Sequence, residues 1–180
     1  IIALLPGSRK QEVSVKLPIM LEAVKEYSNY QIVVAGAPTL SMDFYSSIDS
    51  NVSVVFNKTY QILANAHAAI VTSGTATLET ALFKVPEIVC YKGSTISYMI
   101  AKRLIKVKYI SLVNLILDQE VVKELIQGEC TAGNIQIELD KIIQDESYRR
   151  RLIEKYDELE EVLGGGGASM KVAQSLFKSL

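Results

Sequence analysis

With 180 residues, 49% of them hydrophobic and 22% charged, the chain is long enough for one buried core and short for two domains. Its 19 basic and 20 acidic side chains leave a net charge of −1, so it lacks the electrostatic footprint of a nucleic-acid binder. Neither a signal peptide nor an apolar run of roughly 18 residues is present, and Cys90 and Cys130 have no companion Cys or His at ligand spacing, so the sequence predicts a compact cytoplasmic domain with reduced thiols and no metal site.

In chain order, Ile2 to Leu5 reads as a buried strand, Pro6-Gly7 as turn punctuation, and Lys10 to Tyr27 as a helix with a kink or restart at Pro18. Further strands are predicted at Gln31 to Ala35, Val52 to Phe56, Ala68 to Thr72, Glu87 to Tyr91 and Tyr109 to Leu112. Helical patterns lie between them at Leu40 to Ile48, Thr59 to Ala66, Thr75 to Phe83 and Ser97 to Ile105. Most strands are continuous apolar runs, as expected where helices cover both faces of a parallel sheet, and the alternation predicts an α/β fold with a doubly wound, mostly parallel Rossmann-like sheet. After Asn114 the strands are expected to stop. Glu120 to Gln127 reads as a short helix; Ile135, Leu139, Ile142 and Ile143 form one apolar stripe at helical spacing, and Tyr148, Leu152, Ile153, Tyr156, Leu159 and Leu163 form another. Gly164 to Gly167 follows a charged amphipathic helix rather than a strand, so it reads as a hinge into a last helix, Ala168 to Leu180. The domain is therefore placed at residues 1–167 and a C-terminal helix at 168–180. A chain that opens on a strand without Met points to a piece of something longer.

Two strand-to-helix turns carry the chemistry. In Ser73-Gly74-Thr75-Ala76-Thr77-Leu78-Glu79 a small-residue turn opens a helix, where free backbone N–H groups and the positive helix end face an anion. Glu79, about one turn further in, suits two ribose hydroxyls. The turn Pro6-Gly7-Ser8-Arg9 is of the same kind, and Arg9 offers a planar cation for phosphate oxygens. The competing reading makes Ser8 and Ser73 ordinary helix caps and Arg9 a solvated side chain. Asn57 stands in a third such turn, either to read a uracil edge or as a turn-favouring Asn. No Asp-x-Asp is present, so the charge of a departing diphosphate falls to helix N-termini and Arg9. His67 reads as a packing residue and no convincing general base is found, so no catalytic residue is assigned. Lys102, Arg103, Lys106 and Lys108 interleave with Ile100, Leu104, Ile105 and Val107, which reads either as a solvated helix face or as a membrane-surface patch.

The blocks Leu4 to Val13, Ser73 to Glu79, Tyr91-Lys92, Ser111 to Leu115 and Glu124 to Gln127, in this order and over essentially the whole chain, resemble the C-terminal half of the lipid-A-disaccharide synthase family. Val113 and Lys123 depart from it, standing where that family usually has Pro. The resemblance implies one half of a two-domain, GT-B type inverting glycosyltransferase that takes diacylglucosamine from UDP to a lipid monosaccharide, with no cofactor. It implies donor contacts at Asn114 and Gln127, the alternative for Gln127 being a polar helix end. It also implies a general base and acceptor site in a missing N-terminal domain, hence an inactive fragment, a last helix crossing to that domain, and a peripheral seat on the inner face of the inner membrane. The remaining alternatives are another UDP-sugar enzyme of this architecture, of the UDP-N-acetylglucosamine 2-epimerase or peptidoglycan transferase type, and a nucleotide-binding module without catalysis.

Overall fold

The computed structural model describes residues 1–93 and 108–164. Six strands, β1 (Ile2–Leu5), β2 (Ile32–Gly36), β3 (Val54–Phe56), β4 (Ala68–Thr72), β5 (Glu87–Tyr91) and β6 (Lys123–Ile126), form one sheet in the order β3-β2-β1-β4-β5-β6. Every pairing is parallel, and Ile2 is flanked by Ile32 on one side and Ala68 on the other. The chain thus winds outward from β1 to β3, then returns to lay β4 against the other side of β1. That reversal opens a crevice at the carboxyl ends of β1 and β4, where ligands bind in open α/β sheets. The α/β doubly wound fold is as expected.

Described helices are α1 (Lys10–Ala23), α2 (Met42–Ser46), α3 (Thr59–Ala64), α4 (Thr75–Leu82), α5 (Leu112–Leu117), α6 (Ala132–Gln144) and α7 (Glu146–Val162). Alternate strand residues face opposite layers. Ile2, Leu4, Val34 and Ile70 pack with Val13, Leu17 and Met20 of α1, Ile135, Leu139 and Ile142 of α6, and Leu152, Tyr156 and Leu159 of α7. Ala3, Leu5, Val33 and Val71 pack with Ile62, Leu63 and Val85 on the thinner face. Each fully buried Leu or Ile contributes about 1.5–3 kcal/mol, so these stripes hold the helices on the sheet. Leu163 is the exception in its stripe, 40% exposed.

Three elements differ from expectation. Helix α1 runs from Lys10 to Ala23 with Pro18 inside it, so there is no restart and the helix stops short of Tyr27. Both Pro18 and Ser14 are exposed, and the carbonyl that Pro18 cannot serve is left to water. Tyr109 to Leu112 is not a strand, and Glu120 to Gln127 is not a helix: the sixth strand is β6, while α5 begins at Leu112. The cause is Glu124, whose carboxylate accepts the N–H groups of Ile110 (2.9 and 3.1 Å) and Ser111 (2.9 Å), removing them from any ladder. Ser111 Oγ then caps α5 by accepting the Asn114 N–H at 3.2 Å. The expected helices Ser97 to Ile105 and Ala168 to Leu180 lie outside the described residues, as does most of the Gly164 to Gly167 hinge.

Cys90 and Cys130 are free and buried. At the amino ends of the strands, His67 packs against the Tyr30 ring at 5.7 Å and its carbonyl accepts from Arg149 Nη1 at 2.6 Å, as a packing residue should. Nearby, Glu87 is 1% exposed, and neither its carboxyl oxygens nor the Tyr156 hydroxyl has a hydrogen-bond partner among the described residues. Burial pushes the Glu87 carboxyl well above the usual carboxylate range. No described helix is long and apolar enough to cross a membrane.

Candidate functional site

The helix N-termini divide into two groups. Side chains cap α2 (Ser41), α5 (Ser111), α6 (Thr131) and α7 (Asp145), each accepting a backbone N–H. Helices α1, α3 and α4 have no side-chain cap; their N-cap residues are Arg9, Lys58 and Gly74. Ser8 and Ser73 are therefore not helix caps, and in α1 and α4 no side chain takes the N–H groups that open the helix. These two helices follow β1 and β4, the strands on either side of the topological reversal.

Glycine makes both turns. Gly74 has φ 156° and ψ −164°, a region open to little but glycine, and a Cβ there would meet nothing within 4 Å, so the space beside it is free. Gly7 has φ 116°, and a Cβ on it would lie 2.5 Å from Glu12 Oε2. Glu12 is thereby drawn over the first turn, where its Oε1 accepts from Arg9 Nη1 at 3.2 Å.

Ser8, Arg9, Ser73, Gly74, Thr75 and Glu79 all line one cleft of about 370 Å³ at the carboxyl ends of the strands. That volume lies within the roughly 300–1,000 Å³ of small-molecule sites. Arg9, with its side chain 82% exposed, is the one Lys or Arg among the described lining residues. Asn57 lines an adjoining cavity of about 420 Å³, which shares Thr59 and Glu79 with the cleft. Its φ of 57° is left-handed, a conformation Asn tolerates, so the turn-forming role is visible alongside the placement. Glu79 thus stands where the two cavities join, and Tyr60 Oη donates to Glu79 Oε1 at 3.3 Å while its ring stacks on Phe83.

Asn114 and Gln127 are not brought into this cleft. Asn114 is fully buried: its Oδ1 accepts the N–H groups of Val121 (2.8 Å) and Val122 (2.9 Å), and its Nδ2 donates to Val122 O and Glu124 Oε1, both at 2.9 Å. With the amide spent internally, its place is in the scaffold. Gln127, at φ 53° beyond β6, accepts the Gly93 N–H at 3.3 Å. The basic-apolar stretch 100–108 lies outside the described residues except for Lys108, which pairs with Asp118. Sequence reasoning missed Glu12, Thr59, Tyr60 and Thr72. Only Glu12 carried a signal, its position four residues after Ser8. Among the described residues no three His, Cys, Asp or Glu side chains converge as a metal site.

A family model described as lipid-A-disaccharide synthetase matches residues 1–175. The lipid-A-disaccharide synthase of Syntrophus aciditrophicus is 40% identical over 181 residues, covering 96% of this chain and 47% of that protein. That of Coxiella burnetii is 35% identical over 179 residues, covering 97% of this chain and 48% of that protein. The chain spans about half the length of the curated relatives it matches. Among solved structures, the calicheamicin glycosyltransferase CalG4 superposes with a TM-score of 0.64 at 13% identity, covering 97% of this chain and 41% of its own. Glycosyltransferase VinC, in complex with DTDP, does so with a TM-score of 0.54 at 18% identity, covering 90% and 40%. At such identities the likeness is one of fold.

Proposed function

This chain belongs to the lipid-A-disaccharide synthetase family, and from that premise we propose that it is the donor-binding half of an inverting glycosyltransferase. The observation that carries the reading is that α1 and α4, the helices after the strands on either side of the reversal, bring N-termini without side-chain caps to one cleft beside Arg9 and Glu79. In this reading the diphosphate of a UDP-linked diacylglucosamine sits between the Ser8-Arg9 and Ser73-Gly74-Thr75 turns. The two helix ends and Arg9 meet its charge as UDP leaves, a fixed electrostatic stabilisation that needs no reorganisation during reaction. Glu79 accepts from the ribose hydroxyls, and Asn57 faces the base in the adjoining cavity.

Inversion also requires a base to deprotonate the acceptor hydroxyl. No group lining the cleft suits that task better than ligand binding, so the base and the lipid monosaccharide site are assigned to the half of the relatives' length that this chain does not span. On this account the chain binds donor without turning it over, and works in the cytoplasm at the membrane face that carries its lipid substrates.

Calorimetric titration with UDP, UMP, uridine and ADP tests the reading. UDP is expected to bind more tightly than UMP, which lacks a phosphate for the second helix end, and more tightly than ADP, whose base does not fit the Asn57 cavity. Equal affinity for UDP and uridine would remove the phosphate seat.

A further inference from the structure

We propose that the hydroxyl of Thr72, rather than that of Ser73, is the buried hydroxyl that donates to the diphosphate oxygens in the cleft beside Arg9; the proposal rests on the donor-binding reading and assigns it a residue that no sequence motif marked. Thr72 ends β4, is 7% exposed and lines the cleft. Its Oγ1 is buried and has no hydrogen-bond partner among the described residues. Buried hydroxyls in folded proteins are almost always bonded, so an orphan at the wall of a cleft marks a partner that arrives from outside.

Its neighbours make the contrast. Ser73 Oγ donates to the Ile110 carbonyl at 2.9 Å, and the Ser73 N–H goes to the Cys90 carbonyl at 3.0 Å. Thr77 Oγ1 donates to Gly74 O at 2.8 Å, and Thr80 Oγ1 to Ala76 O at 2.7 Å. A hydroxyl has one proton to give, so these three have spent theirs on backbone carbonyls. Thr72 has not. Packing gives no reason for the oxygen either, because Val has the same branched shape and fits a central strand at least as well. Thr72 lines the same cleft as Arg9 and the first turn of α4, and a phosphoryl oxygen is the acceptor that such a frame concentrates.

The test is the isosteric substitution Thr72→Val, with Thr72→Ser as its control, titrated with UDP and with uridine and melted without ligand. Thr72→Val is expected to weaken UDP about tenfold, as for loss of a hydrogen bond to a charged group, and uridine by less than about twofold. Its melting temperature is expected to hold or rise, since an unpaired buried hydroxyl is removed, while Thr72→Ser keeps UDP within about threefold of the parent. A Thr72→Val protein that binds UDP like the parent overturns the proposal and leaves the donor-binding reading standing. Equal losses for UDP and uridine with a lower melting temperature also overturn it, because the hydroxyl then serves the fold. A parent chain that does not bind UDP overturns both.

Discussion

The carboxyl edge of the sheet carries two regions that the sequence marks in the same way, and the structure treats them oppositely. At the β1/β4 crevice, backbone N–H groups lack caps, Gly74 opens onto free space and the Thr72 hydroxyl has no partner. At the β5/β6 end, the Asn114 amide and Glu124 carboxylate are saturated by hydrogen bonds to one another and to the backbone of residues 110–122. Both are polar and both belong to family motifs. The difference teaches that unspent hydrogen-bonding capacity, more than residue type, separates a ligand seat from the scaffold that aims it. The two are joined, because Ser73 Oγ reaches the Ile110 carbonyl and the Ile110 N–H rests on Glu124.

Asn114→Ala should break the comparison most sharply if it is wrong. It strips one bond each from the Val121 and Val122 N–H groups, the Val122 carbonyl and the Glu124 carboxylate in a dry site, and should lower unfolding free energy by on the order of 3–4 kcal/mol in urea titration. Below its melting temperature the same variant should keep UDP affinity within about threefold. A tenfold loss of UDP at unchanged stability would return Asn114 to the ligand. Gly74→Val acts in the opposite region: the strained backbone and the side chain in the phosphate space should weaken UDP by about 2–3 kcal/mol and uridine much less. Glu79→Ala should cost about 1.5–3 kcal/mol of UDP affinity, as for a lost charged hydrogen bond, with unfolding free energy moving by less than about 0.5 kcal/mol. Unchanged calorimetric affinity would exclude Glu79 from the ribose. The smallest effect belongs to Tyr60→Phe, which removes an exposed hydrogen bond to Glu79 and should cost UDP about 0.5 kcal/mol, and nothing once Glu79 is Ala.

The doubly wound sheet was legible because β1, β2, β4 and most of β5 are apolar runs, and the turns after β1 and β4 because glycine and small residues punctuate them. Strand β6 was not. Lys-Glu-Leu-Ile is four residues long and half charged, and what makes it a strand is its pairing of Cys90 with Leu125 and Tyr91 with Ile126, contacts made across 35 residues of chain (125 − 90 = 35). Asn114 was marked by its motif but its role was hidden, since a saturated amide and a ligand-holding amide have the same letter. Thr72 and Tyr60 carried no pattern at all: one is an ordinary β-branched strand residue, and the other gains meaning only when α3 sets it beside Glu79.

The buried Glu87 at the far end of the sheet bears on acidity. A carboxyl whose folded-state pKa is raised by burial is held neutral in the native protein, whereas the unfolded chain releases its proton near the ordinary value of 4.5. Below that pH the group imposes no penalty. As pH rises above it the unfolded state gains ionisation that the native state resists, so stability drains away until the folded-state pKa is passed. Glu87 therefore gives the fold a preference for the acid side of neutrality that paired carboxylates elsewhere oppose. Glu87→Gln, neutral at every pH, should flatten the fall in melting temperature between pH 5 and 8. An unchanged slope would show that the carboxyl is already ionised and served by a partner. A flattened slope would make the amino end of the sheet, away from the cleft, the part of the molecule whose stability follows the acidity around it.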